Sequence, residues 1–196
     1  MLLGDEQLML DFSQGSISAF ELLIQRWDKR MLNYFMRCVG HRDEAEDLRQ
    51  ELFLRIFEQR GTFRSNGRFQ AWIYRVATNL VIDKFARKRR ANVQSIEENT
   101  ENGWEPNIAT EGEDSRNSAG WKEIERRIHQ ALERLPDDQR LILVMRHFEN
   151  LSFKDIAELL QASESTVKSK VYRGLNALRN ELKRLGILEM DCPQSA

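Results

Sequence analysis

The sequence predicts an all-α protein of two small helical domains joined by a flexible acidic linker. Three observations carry this. Apolar residues recur every three or four positions through most of the 196 residues, the spacing of one helix face. Only three prolines and ten glycines interrupt the chain. Between residues 93 and 121 the periodicity is lost, Asn, Glu, Gly, Ser and Thr dominate, and Pro106 intervenes, as in a linker. The expected division is therefore 1–92, linker 93–121, 122–186 and a tail at 187–196.

The first predicted helix carries Phe20, Leu23, Trp27, Met31 and Tyr34 or Phe35, entered at Ser18 as N-cap. A second carries Ala45, Leu48, Leu52 and Ile56, with His41-Arg42-Asp43 at its start and Gly61 past its end. Phe69, Trp72 or Ile73, Val76, Leu80 and Phe85 mark a third. Beyond the linker, Ile124, Ile128, Ala131 or Leu132 and Leu135 form another stripe. Pro136-Asp137 ends it and starts the next, with Leu141, Val144 or Met145 and Phe148. Ser152 then caps a short helix with Ile156, Ala157 and Leu160. A tight connection at Gln161-Ala162-Ser163 leads to a longer helix with Val167, Val171, Leu175, Leu178 and Leu182. Two helices joined by three or four residues, with a small residue at the crossing, form the helix-turn-helix pattern.

The net charge of −1 conceals a strong asymmetry. Residues 26–90 hold 16 bases against 8 acids, whereas 91–121 hold 1 against 7. Within 61–90 there are eight bases and the single acid Asp83, which suits a polyanionic partner. No apolar run approaches the ~20 residues of a membrane span, and no secretory leader opens the chain. Cys38 and Cys192 form no disulfide framework, so a reducing cytoplasm is the expected setting.

Three segments carry candidate function. In the second helix of the helix-turn-helix pattern, Ser165, Thr166, Lys168, Ser169, Lys170, Tyr172 and Arg173 fall near the N-terminal half, which in a recognition helix meets base edges and phosphates. An ordinary helical hairpin is the alternative. Phe63 to Arg90 interleaves aromatics with Arg64, Arg68, Arg75, Lys84, Arg87 and Lys88; Trp72, Tyr74 and Asn79 complete a surface that could hold unpaired DNA. Rings stack on bases at about 1–3 kcal/mol each while cations track the backbone. The competing reading makes Phe69, Trp72 and Phe85 core. On the 43–58 helix, Asp43, Glu44, Asp47, Gln50 and Glu51 lie off the apolar stripe, which fits either a basic protein partner or a solvated face.

Asp43-Glu44-Ala45-Glu46-Asp47-Leu48-Arg49-Gln50-Glu51-Leu52-Phe53 resembles region 2.2 of the bacterial sigma-70 family. Phe69-Gln70-Ala71-Trp72-Ile73-Tyr74-Arg75-Val76-Ala77-Thr78-Asn79, with Asp83 and Arg87, is similar to regions 2.3 and 2.4. Leu135 to Leu182 is similar to region 4. Regions 2 and 4 alone, with a short linker, match the extracytoplasmic-function (ECF) group. The resemblance implies a transcription initiation factor that binds core RNA polymerase. Asp47, Gln50 and Glu51 would meet the β′ clamp helices, and the second domain would meet the β flap. Arg64, Arg68, Trp72, Tyr74, Arg75, Asn79, Lys84, Arg87 and Lys88 would hold the −10 strand, with Asn79 at a flipped base. Ser165 through Arg173 would read the −35 duplex, and an anti-sigma factor is a further partner the family admits. Arg49 departs from the family, which more often has an apolar residue there.

No catalytic constellation competes. His41, His129 and His147 are scattered, and Cys38 with His41 supplies only two ligands, so neither metal nor cofactor is expected. A stand-alone helix-turn-helix regulator is the alternative function; it needs duplex binding but no aromatic, basic helix at 63–90. A nuclease is third.

Overall fold

The computed structural model describes residues 3–64, 69–94 and 119–187. The chain separates into two compact units, 1–100 and 101–196. In the first, α1 (Asp5–Ser13), α2 (Ile17–Val39), α3 (Arg42–Glu58) and α4 (Phe69–Gln94) pack together, with a single 3-10 turn at Arg60–Thr62. Ser16, not Ser18, caps α2: its side chain accepts from the Ala19 N–H. Gly40, at φ 82°, ends the helix in the left-handed conformation that glycine adopts without a Cβ penalty. Only Gly40 and His41 separate α2 from α3, so the two form a tight helical hairpin.

The seam between α2 and α4 is aromatic. Trp27 meets Phe69 and Tyr74 at ring-centroid distances of 5.5 and 6.1 Å, and Tyr34 meets Tyr74 at 5.4 Å. The Tyr34 and Thr78 hydroxyls, both buried, share a hydrogen bond of 3.0 Å. Because contacts advance together along both helices, α2 and α4 run parallel. Helix α1 had no place among the predicted elements. Its nine residues offer only Leu8, Met9 and Phe12 as a buried stripe, too little periodicity to stand out. It is held by Asp5, whose carboxylate accepts from Arg26 at 2.8 Å and from the Trp27 indole at 2.9 Å.

This packing corrects one expectation. Tyr74 is 0% exposed, enclosed by Trp27 and Tyr34, so its ring belongs to the core and not to a DNA surface. Phe63, Phe69 and Phe85 are likewise buried.

In the second unit α5 (Ala119–Glu133) precedes α6 (Asp137–Leu143), which widens into a π-helical turn at Val144–Phe148. The buried Arg140 guanidinium donates to Asp137 and to the Glu133 carbonyl, joining the two helices across Pro136. Then come α7 (Phe153–Leu160) and α8 (Glu164–Arg184). Ser152 and Asp155 form a reciprocal capping box at the start of α7. Gln161 turns the chain through the left-handed region at φ 50°, and Ser163 caps α8 by accepting from the Thr166 N–H. Three residues therefore join the helices. Gly174 sits against Leu143: a Cβ there would lie 3.1 Å from Leu143 Cγ, so glycine lets α8 approach α6 closely. On α5, hydrogen bonds from Arg126 and Arg127 hold the Glu123 carboxyl down at about 2, and Arg127 also donates to the Leu185 carbonyl beyond α8. The linker expectation falls chiefly on 95–118, outside the described residues, as do 188–196 of the tail.

Truncating a fully buried aromatic costs about 3–5 kcal/mol. Tyr74→Ala should therefore lower the urea midpoint of the first unit, followed by amide exchange in α2 and α4, whereas Tyr74→Phe, which keeps the ring, should stay folded with far smaller loss.

Candidate functional site

Removing Tyr74 from the surface sharpens what α4 does present. Trp72, Arg75 and Asn79 stand at i, i+3 and i+7, the spacing that places side chains on one helix face. Arg75 and Asn79 are exposed. Trp72 is half-buried, leaning on Phe63 (5.4 Å) and Phe69 (6.1 Å). Farther along, Arg87, Lys88, Arg89 and Arg90 are all exposed. Arg64 is exposed just before the helix, and Arg68 lies outside the described residues. Lys84 departs from this group. Its ammonium lies 3.0 Å from the Glu44 carboxylate of α3, so it is engaged within the fold. The face offers guanidinium groups for phosphates, an amide that both donates and accepts, and a partly exposed indole.

On α3 the acidic side is distinct. Asp47 and Gln50 are exposed; Glu51 is half-buried and accepts from Arg55 at 2.8 Å. Arg55 also approaches Asp83 of α4, at 4.0 Å. Arg49 does not share this face: it reaches back to both carboxylate oxygens of Asp28 on α2, at 2.7 and 2.9 Å. An Arg at this position thus ties α3 to α2 and leaves the Asp47–Gln50 surface acidic. Sequence reasoning missed two residues here. Leu54 and Phe57 continue the stripe from Gln50 at i+4 and i+7, and are 53% and 38% exposed. The signal was present, since both lie off the buried stripe of Ala45, Leu48, Leu52 and Ile56.

In α8 the buried positions Val167, Val171 and Gly174 face the unit's core. Ser165, Thr166, Lys168, Ser169, Tyr172 and Arg173 are exposed, Tyr172 to 67%. The structure thus gathers most of the predicted residues on one outward surface. Three are partly committed. Lys170 is half-buried, 3.3 Å from Asp138 at the start of α6, and the Ser165 and Thr166 hydroxyls each meet Ser163 Oγ at 2.8 Å. Arg146 and Lys168 both stand over the Phe153 ring, at 4.7 and 5.6 Å, fixing two cations at the head of the helix pair. Arg146 was not singled out from sequence, because its link to this surface runs through the π-helical turn.

Among the described residues no three His, Cys, Asp or Glu side chains gather as a metal site, and no helix is long and apolar enough to cross a membrane.

The family model described as Sigma-70 region 2 matches residues 23–91, and that described as Sigma-70, region 4 matches 125–178. RNA polymerase sigma-H factor of Pseudomonas aeruginosa is 33% identical over 183 residues, covering 92% of this chain and 95% of that one. ECF RNA polymerase sigma factor SigW of Bacillus subtilis is 30% identical over 174 residues, covering 88% and 93%. ECF RNA polymerase sigma-E factor of Escherichia coli is 28% identical over 188 residues, covering 93% and 96%. Among solved structures, the sigma factor RpoE of Bartonella quintana, bound to the anti-sigma factor NepR, gives a TM-score of 0.67 at 22% identity, covering 85% of this chain and 98% of that one. CnrH, bound to the cytosolic domain of CnrY, gives 0.64 at 19% identity, covering 92% and 97%. These structural likenesses speak to the fold. With regions 2 and 4 matched in order and a relative one-third identical over nearly the whole chain, the protein belongs to the ECF group of the sigma-70 family: a promoter-specific RNA polymerase sigma factor and not an enzyme.

Proposed function

We propose that the first unit joins core RNA polymerase to the −10 strand, while α8 grips the −35 duplex. The observation that carries this is the separation of charge on one packed unit: α3 exposes Asp47 and Gln50, and α4 exposes Arg75, Asn79 and the basic run 87–90. Acid repels DNA and suits the β′ clamp helices; base and amide suit the strand. In this reading Asn79 holds a base flipped from the −10 strand, with Trp72 and Arg75 beside it. Flipping costs a few kcal/mol, which hydrogen bonds and stacking must offset. Arg64, Arg68, Arg87 and Lys88 follow the backbone and flanking duplex.

In the second unit, Lys168, Ser169, Tyr172 and Arg173 face the major groove, with Ser165, Thr166 and Lys170 at its margin. The same unit meets the β flap. The acidic linker lies along the polymerase's own nucleic-acid path. An anti-sigma protein is a further partner, by analogy with the RpoE–NepR complex. The setting is the cytoplasm.

Losing one hydrogen-bonding side chain costs about 1 kcal/mol, and 1.4 kcal/mol is tenfold. Asn79→Ala should therefore slow promoter opening by up to about tenfold, read by permanganate footprinting of unpaired thymines, with unchanged affinity for core. Loss of core affinity instead would place α4 against polymerase. Asp47→Lys and Glu51→Lys should each weaken competition for core against a second sigma factor; unchanged competition would remove α3 from that role.

A further inference from the structure

Burial fails toward one end of the α5–α8 pair. Val167, Val171 and Gly174 of α8 are buried, whereas Leu178, Leu182 and Leu185 are half-buried. On α5, Ile124 is 38% exposed and Ile128 is half-buried. Arg127 stands between them and shares their face at i+3 from Ile124. It donates to the Leu185 carbonyl at 3.1 Å, and Arg134 donates to the Glu181 carboxylate at 3.5 Å. As α5 advances, its partners on α8 step backward, so the two helices run antiparallel. Ile124, one turn before Arg127, therefore lies toward the end at which the chain leaves α8.

That exit has a defined geometry. Gly186 takes the left-handed conformation at φ 71°. Its N–H reaches the Lys183 carbonyl, and the Ile187 N–H reaches the Leu182 carbonyl, each at 3.0 Å. These are the two bonds of a Schellman motif, in which residues at the Ile187 and Leu182 positions tend to meet. The turn takes the chain off the α8 axis, and Arg127 pins its base to α5 through Leu185.

We infer that residues 188–192 form a strap that closes over this apolar edge, with Leu188 and Met190 seated against Ile124 and Ile128 of α5. Direction favours this occupant, because the chain emerges at the uncovered edge itself. Pattern favours it too. Leu188-Glu189-Met190-Asp191 alternates apolar and acidic residues, so an extended segment turns both apolar side chains to one side and both carboxylates to the other. Charge agrees: the last turn of α8 exposes Lys183 and Arg184 beside the exit, opposite in sign to Glu189 and Asp191. Reach suffices, since three extended residues span about 10 Å, against about 4.5 Å along α5 from Arg127 back to Ile124. Tethering also raises the local concentration of the strap, so two apolar side chains can hold where a free peptide would not. A partner drawn to this edge has to displace the strap.

The test is paramagnetic broadening in the full chain, isotopically labelled for amide NMR, with a nitroxide on Cys192. Cys38 is fully buried, and attachment of a single label is verified by mass. The amides of residues 123–128 should lose signal with the oxidised label and regain it when the label is reduced. Leu188→Asp combined with Met190→Asp should abolish that loss, and Ile124→Asp, on the receiving side, should abolish it as well. Absence of broadening at 123–128 in the unsubstituted chain overturns the strap. So does broadening that the substitutions leave unchanged, which would reflect a nearby chain segment without apolar seating. In a mixture of isotope-labelled chain with spin-labelled, unenriched chain, no loss is expected. Loss at 123–128 there would assign the edge to a second copy and overturn the inference.

Discussion

The aromatic seam between α2 and α4 is the constraint on which the first unit depends. Trp27, Tyr34 and Tyr74 lock edge to face, and the Tyr34–Thr78 hydrogen bond closes the seam in the dry interior. Large rings cannot slide past one another without opening voids, so the register of α4 on α2 is set there. Once Tyr74 and Thr78 point inward, the 100° advance per residue turns Arg75 and Asn79 outward. The residues proposed to take DNA are thus aimed by neighbours that never touch it.

Ion pairs perform a second kind of sorting. Asp28 takes Arg49 and Glu51 takes Arg55, so the bases of α3 are drawn off its acidic surface, while Glu44 engages Lys84 of α4 within the fold. These pairs lie near the surface and each contributes little to stability. Their importance is in pattern: α3 stays acidic and α4 stays basic within one unit. The second unit achieves its separation differently. A glycine at position 174 brings α8 close to Leu143, and the capping box at Ser152 with the Ser163 cap sets a three-residue turn. The exposed half of α8 is then held by its own buried valines.

Much of this was legible in the sequence, for identifiable reasons. The stripes of α2 and α8 are strongly periodic, and the cap at Ser152 follows known local chemistry. The ring of Tyr74 was misplaced because its neighbours Arg75 and Trp72 belong to a more exposed face. Interleaved aromatics and bases read as one surface until the helical phase is fixed by partners from α2. Lys84 was misplaced for a related reason: its partner Glu44 is forty residues away. Sequence names the residue types; packing decides which of them share a surface.

The central claim is that this chain supplies promoter specificity to a polymerase that lacks it. Run-off transcription tests it most directly, using purified core polymerase with and without the chain on promoter fragments pooled from the source genome. Discrete new transcripts that require the chain are the predicted result, and their start sites would supply the promoter sequence. Absence of any such transcripts, with duplex DNA bound by the chain alone, would contradict the account and make it a stand-alone regulator.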